Sequence, residues 1–329
     1  MEQLLFKLIL ESKKHQATDI HFTINDQESS CELRSIRGFM KFESDKISSL
    51  FQYLKYCSDM DLGNHVVPQS GTFQKIYDDE IHYFRFSCIS TMKTQTGVLR
   101  ILNNHPPILL ENCSRKKKQN QIFKRWCHLR SGLILFTGPT SSGKTTTLHA
   151  LLEEIASRKQ LKIITLEDPI EIISKNYLQL QINEKMNFTY EIGIQQLLRH
   201  DPDVIMIGEI RDEKCAQMVY RAALSGHLVF STLHAKSSQE AVKRLNELGL
   251  DNIMLSETLT GIVNQRLYPD AKRKERVCIY EILASKELQD YLIHRKMDEK
   301  HKTIFDEIKD AVDRKEIRLS DAKVDLLDL

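Results

Sequence analysis

The stretch Gly138-Pro139-Thr140-Ser141-Ser142-Gly143-Lys144-Thr145 follows directly on the apolar run Leu133-Ile134-Leu135-Phe136. It reads G-x-x-x-x-G-K-T between a strand-like and a helix-like segment, the setting in which that spacing cradles phosphate. Gly138 and Gly143 permit backbone angles that bulkier residues resist, so successive N–H groups can turn toward phosphate oxygens. Lys144 brings a compact positive charge for the β- and γ-phosphates, and Thr145 a hydroxyl for Mg²⁺. From Thr146 to Ile155 the pattern is helical, and the N-terminus of that helix turns its partial positive charge to the nucleotide. The loop as a whole, Gly138 to Thr146, is the expected binding surface for a nucleoside triphosphate.

Working outward, 329 residues suggest two domains. A hydrophobic share of 41% allows substantial cores, and Lys+Arg of 47 against Asp+Glu of 45 leaves little net charge. That balance speaks against direct nucleic-acid binding. The cysteines at 31, 57, 88, 113, 127, 215 and 278 form no CxxC pair, which disfavours structural zinc and fits a reducing cytosol. At the N-terminus Leu4, Leu5, Leu8 and Ile9 follow helical spacing. Glu2, the lysine inside the run and the lack of a small-residue cleavage site oppose a signal peptide. No apolar run approaches the ~20 residues that span a bilayer. The chain is therefore expected in the cytoplasm, recruited to the cytoplasmic face of the membrane only through partners.

Residues 1–108 mix helix with alternating strands: helices over Leu4–His15 and Ser48–Cys57, strands over Asp19–Phe22, Glu80–Ile89 and Gly97–Leu102. The prolines of Asn103–Pro107 end that pattern. Residues 109–120, with the basic run Arg115-Lys116-Lys117-Lys118, read as an exposed linker. From 121 to 329 strands alternate with helices, the rhythm of a parallel sheet: strands at Leu133–Phe136, Lys162–Leu166, Val204–Ile207 and Leu228–Thr232, helices at Thr189–His200 and Ser237–Leu248. Ser237 and Glu240 form a capping-box pattern, and Gly249 is a stop. The chain after 285 is charge-rich and helical.

Three segments follow the phosphate loop at strand ends, where open α/β sheets place ligands. Ile164-Thr165-Leu166-Glu167-Asp168-Pro169-Ile170-Glu171 ends in three carboxylates. Asp201–Glu209 ends in Glu209, the Walker B position that organises Mg²⁺ and its waters. Gly226–His234 is bracketed by His227 and His234.

With these four boxes in order, the chain resembles the secretion ATPases of type II secretion, type IV pilus and competence systems, the group that includes the GspE, PilT and ComGA types. The matching stretches are GPTSSGKTTTLHALL, ITLEDPIE, LLRHDPDVIMIGEIRD and ALSGHLVFSTLHA, with ATDIHF and RVCIYEIL at the two ends, spanning about 17 to 283. Lack of the four-cysteine zinc insert and of a further N-terminal docking domain points to the shorter types, the competence ATPase first. The resemblance implies an α/β chain: a smaller N-terminal α+β (PAS-like) domain, then a RecA-like P-loop ATPase domain with a helical C-terminal portion.

It implies ATP and Mg²⁺ as ligands, with Lys144 and Thr145 on phosphate and metal and Glu209 as the Walker B acid, Gly208 standing where many P-loop proteins carry aspartate. Glu171 matches the carboxylate that polarises the attacking water. Glu167 and Asp168 are equally explained as supports. His227 and His234 match the γ-phosphate-sensing box, with structural hydrogen bonds the plainer alternative. Arg85 and Arg100, set in apolar strand patterns, match arginines that reach a neighbouring subunit's phosphates; pairing with local carboxylates is the alternative. The implied assembly is a homo-oligomeric ring, hexameric, acting with an inner-membrane platform protein of a pilus or pseudopilus machine. A retraction motor, a RecA-like nucleic-acid translocase and a scaffold with negligible turnover remain alternatives at this point.

Overall fold

In the computed structural model the described residues are all of 1–329 except 16, 26, 36–37, 64–66, 79, 92, 103–107, 159–160, 273 and 328–329, and the side chains of Lys185 and Leu327. The chain divides into two compact units, Met1–Pro106 and Pro107–Leu329. The expected strand break at Asn103–Pro107 lies outside the described residues.

The first unit comprises α1 (Glu2–His15), β1 (Asp19–Asn25), β2 (Ser29–Ser35), β3 (Gly38–Lys41), α2 (Ile47–Cys57), β4 (Gln69–Tyr77), β5 (Glu80–Ser90) and β6 (Thr94–Leu102). Its six-stranded sheet has the order β3-β2-β1-β6-β5-β4, and every pair is antiparallel. Leu5, Leu8 and Ile9 of α1 and Leu50, Phe51 and Leu54 of α2 share one core with Phe22, Phe84, Phe86 and Leu99 of the sheet. Successive strand side chains point to opposite faces. Arg85 and Arg100, alternating with buried Phe84, Phe86, Leu99 and Ile101, therefore stand on the face away from that core.

The second unit opens with a 3-10 turn (Leu110–Asn112) and α3 (Lys117–Trp126), then β7 (Gly132–Thr137), α4 (Lys144–Ala156), β8 (Ile163–Glu167), β9 (Leu178–Gln181), α5 (Tyr190–Leu198), β10 (Val204–Ile207), α6 (Glu213–Leu224) and β11 (Leu228–Leu233). It continues with α7 (Ser238–Glu247), α8 (Asn252–Thr258), β12 (Leu259–Pro269), β13 (Arg276–Ala284), α9 (Ser285–His294), α10 (Ile304–Asp313) and α11 (Leu319–Leu327). The seven-stranded sheet runs β13-β12-β7-β11-β10-β8-β9. Leu133, Leu135, Ile164 and Ile205 pack against helices on one face, Ile134, Phe136 and Met206 against α3 and α4 on the other. That two-sided burial is why these strands read as unbroken apolar runs. The fold is α/β, a smaller α+β unit followed by a RecA-like P-loop unit that ends in helices.

Two expectations change. Residues 109–120 are part of the second unit rather than an exposed linker. Leu110, Cys113, Ser114 and Gln119 are buried, and Lys116 pairs with Glu307 and, at 3.3 Å, with Asp310 on α10. The sheet is also not wholly parallel, because β12 and β13 form an antiparallel hairpin at its edge, β12 lying parallel to β7.

Candidate nucleotide site

Parallel pairing brings four strand ends to one edge. Leu233 of β11 lies beside Thr137 of β7, and Ile207 of β10 lies between Leu166 of β8 and Ser231 of β11. The connections leaving those ends carry the phosphate loop, the acidic stretch to Glu171, Glu209 and His234.

The phosphate loop turns through φ of +135° at Gly138, +63° at Ser141 and +87° at Gly143, the residue that caps α4. Both glycines are needed for room as well as angle. A Cβ on Gly138 would stand 2.4 Å from the Gln265 carbonyl oxygen, and one on Gly143 2.9 Å from Gln265 Nε2. Gln265 sits on β12 and donates from Nε2 to the Ser142 carbonyl at 2.6 Å, close to Cys278 Sγ of β13 at 2.9 Å. The Thr147 hydroxyl donates to Gln265 Oε1 at 3.2 Å and accepts from the buried Tyr280 phenol at 3.0 Å. The β12–β13 hairpin thus braces the loop from below.

Several features fit a polyanion. Lys144 is buried, its Nζ donating to the carbonyls of Gly138 and Pro139 at 2.9 Å each. Burial pulls its pKa down further than the charges of Glu209 and Glu171 raise it, so the ammonium is short of negative partners. Ser142 Oγ is buried with no hydrogen-bond partner among the described residues. The first N–H groups of α4 have no intrahelical acceptor. Phosphate oxygens meet all three needs. Thr145, in the first turn of α4, and Glu209 are oxygen donors of the kind that suits Mg²⁺.

Glu209 is held on both sides, its Oε1 3.3 Å from His234 Nε2 and its Oε2 3.2 Å from Arg211 Nε. Arg211 also reaches Asp168 Oδ2 at 2.9 Å and lies over the Tyr190 ring, 5.4 Å from its centroid. One guanidinium therefore ties the Asp168 loop to the Glu209 loop. Gly208 is explained by space, since a Cβ there would meet Tyr190 Oη at 3.1 Å and the Leu166 carbonyl at 3.3 Å. Glu167 is buried and accepts from Thr165 Oγ1 at 2.7 Å and Gln179 Nε2 at 3.1 Å, so its contacts are those of a support.

His227 is not brought to this edge. It precedes β11 at the opposite end of the sheet, where its carbonyl accepts from Gly132 N and its Nδ1 lies 2.9 Å from the Ala222 carbonyl and 3.0 Å from Ser225 Oγ. A strand of six residues separates it from His234, about 20 Å at ~3.3 Å per residue. The expectation of paired histidines at one phosphate is corrected on that ground: strand geometry carries only His234 to the site. In the first unit, Arg85 and Arg100 are directly opposite across β5 and β6. Arg100 Nε donates to Asp19 Oδ1 at 2.7 Å and Arg85 Nε to Ser70 Oγ at 3.5 Å. The local-carboxylate alternative describes Arg100 within this unit.

Gln265, Cys278 and Arg211 were not singled out from sequence. The signal for Gln265 was available, as three consecutive polar residues, Asn264, Gln265 and Arg266, flanked by the apolar Ile262-Val263 and Leu267.

The family model described as type II/IV secretion system protein matches residues 1–324. The competence protein ComGA of Halalkalibacterium halodurans is 34% identical over 306 residues, covering 87% of this chain and 88% of that protein. ComGA of Bacillus subtilis is 31% identical, with 88% and 86% covered. The putative type II secretion system protein E of Escherichia coli is 34% identical over 80% of this chain, which spans 54% of that longer protein. Among solved structures, the pilus retraction motor PilT with bound ADP matches with a TM-score of 0.72 at 26% identity, over 96% of this chain and 95% of that one. The Legionella pneumophila ATPase DotB matches in fold, with a TM-score of 0.80 at 20% identity, over 99% of this chain and 96% of that one.

Proposed function

Since the chain belongs to the type II/IV secretion system protein family and is an ATP hydrolase, we propose that it powers assembly of a competence pseudopilus or a related type IV pilus-like or type II secretion machine. In this reading it works in the cytoplasm as a hexameric ring on an inner-membrane platform protein, and the work serves DNA uptake. The likeness to two ComGA proteins, at 34% and 31% identity against 26% for PilT, supports the competence role over the retraction role. The near-neutral charge weighs against a nucleic-acid translocase.

The observation that carries the reading is the meeting of Lys144, Glu209 and His234 at one sheet edge, with Glu171 acting on the same ammonium. Lys144 leaves the Gly138 and Pro139 carbonyls and takes the β- and γ-phosphates, while the loop N–H groups and Ser142 Oγ hold the remaining oxygens. Thr145, and Glu209 through water, would hold Mg²⁺, which would neutralise phosphate charge. Glu171 orients the attacking water and accepts its proton. His234 fixes the Glu209 carboxylate and so senses the γ-phosphoryl group through it. Arg85 and Arg100 of a neighbouring subunit supply the last positive charge, which makes turnover a property of the ring.

Lys144→Ala and Glu171→Ala test this together. Both are expected to lower ATP turnover by about 10²-fold or more, in the range of a lost general base or phosphate ligand. Only Lys144→Ala weakens ADP binding strongly. A Glu171→Ala protein turning over ATP at the parental rate contradicts the assignment.

A further inference from the structure

The helix that begins at the phosphate loop also grips the loop that carries Glu171. On α4, Thr145, His149 and Glu153 are spaced by four residues and so share one face. His149 is buried, its Nδ1 2.5 Å from Tyr177 Oη and its Nε2 3.4 Å from Glu167 Oε2. One turn further, Glu153 accepts from Ser174 Oγ at 2.5 Å and from Asn176 Nδ2 at 2.6 Å. Gln179 closes the loop from the β9 side, donating to Glu167 Oε1 and to the Ile172 carbonyl at 2.8 Å and accepting from Ser174 N at 2.7 Å. The segment after Glu171 is therefore fastened at 172, 174, 176 and 177, and two residues of α4 hold three of those four points.

We propose that His149 and Glu153 are positioning residues, through which the phosphate-binding helix sets the place of Glu171 for attack on the γ-phosphoryl group. A helix is a rigid strut, so a shift of its N-terminus on taking phosphate reaches its next two turns undiminished. The Tyr177–His149–Glu167 chain, buried at His149 and Glu167, then moves with it, because each member would lose a partner if left behind. Placement matters steeply, since a displacement of about 1 Å at a reacting group can cost ~10²-fold in rate. The inference rests on Glu171 being the water-orienting carboxylate.

The test uses the full-length chain with Glu153→Ala and His149→Ala, compared for kcat, KM for ATP, ADP affinity and amide hydrogen exchange. Glu153→Ala keeps helix propensity and is half-buried, so it remains informative should the buried His149 variant fail to fold. The expected result is a tenfold to hundredfold loss in kcat, with KM and ADP affinity within about threefold of parental. Exchange rises at 171–178 while 138–147 exchanges as before. Parental kcat in Glu153→Ala overturns the proposal, and so does a loss of ADP affinity that parallels the loss of kcat. Unchanged exchange at 171–178 overturns the anchoring itself. Retained turnover in Glu171→Ala would instead remove the assignment of Glu171, and the exchange measurement would still report whether α4 holds the loop.

Discussion

Gln265 shows how one side chain can settle the shape of a catalytic loop. Its amide donates to Ser142, accepts from Thr147 and closes the space over Gly143, while its backbone carbonyl stands over Gly138. Gln265→Leu keeps the volume and strands those polar groups, at a cost of about 1–3 kcal/mol per unsatisfied buried group. Weaker ADP binding together with a lower unfolding midpoint is the expected outcome, read by titration calorimetry and urea unfolding. The two histidines of the 226–234 stretch separate cleanly at this scale. His234→Ala frees Glu209 Oε1 and is expected to lower kcat about tenfold or more, while His227→Ala, acting from the far end of β11, leaves kcat within about twofold. A steady-state comparison of the two variants decides it, and equal losses would contradict the placement.

At the scale of elements, the C-terminal helices are tied to the sheet by a buried histidine. The His301 side chain is 2% exposed, with Nδ1 2.6 Å from Glu287 Oε1 on α9 and Nε2 3.3 Å from Glu281 Oε1 on β13. Glu281 Oε2 also accepts from the first amide of α10, that of Ile304. Burial opposes the imidazolium, and the Glu281 and Glu287 carboxylates outweigh it, so the pKa is raised. A raised folded pKa means the stabilisation is full below the unfolded value near 6.5 and fades as pH climbs through the folded one. His301→Gln is expected to cost about 2 kcal/mol at pH 6 and clearly less at pH 9, by urea unfolding at the two pH values. A cost independent of pH would contradict the charged pairing. Elements of this kind were unevenly legible. Buried parallel strands such as Val204–Ile207 are visible because nothing polar interrupts them. β2 and β4 were missed because half of each faces solvent and carries Ser, Gln, Lys or Glu. α3 was hidden by its lysines, although Gln119, Phe123 and Trp126 recur at helical spacing on its buried face. β12 escaped because it carries buried Asn264, Gln265 and Arg266, of which Gln265 braces the phosphate loop and Arg266 reaches Asp325 and the Lys236 carbonyl, and those contacts interrupt the apolar pattern. The phosphate loop, Glu209 and His234 stand out in the sequence because a nucleotide and its metal ask for those residue types at that spacing. The bracing side chains were not, since a hydrogen bond to a backbone carbonyl can be made by many residues.

For the whole molecule, Arg85 and Arg100 carry the consequence. Like charges directly opposite on adjacent strands are destabilising, yet the pair stands on the sheet face away from the core with Asp19 as the carboxylate at Arg100. In the proposed ring, that pair meets the nucleotide phosphates of another subunit. Arg100→Ala is expected to leave ADP binding within about threefold and to lower turnover about 10²-fold or more, as removal of a charge-stabilising donor does. Turnover per subunit of the parental protein should rise with protein concentration as rings form. Concentration-independent turnover, unaffected by Arg100→Ala, would show that each chain hydrolyses ATP alone. The most direct measurement of the central claim is a crystal structure with Mg²⁺ and a non-hydrolysable ATP analogue. Convergence predicts the Lys144 ammonium moved from the Gly138 and Pro139 carbonyls onto the β- and γ-phosphates, with Glu171, Glu209 and His234 gathered around the terminal phosphoryl group. An analogue seated away from the 138–145 loop, or Glu171 and Glu209 turned away from its terminal phosphate, would contradict it.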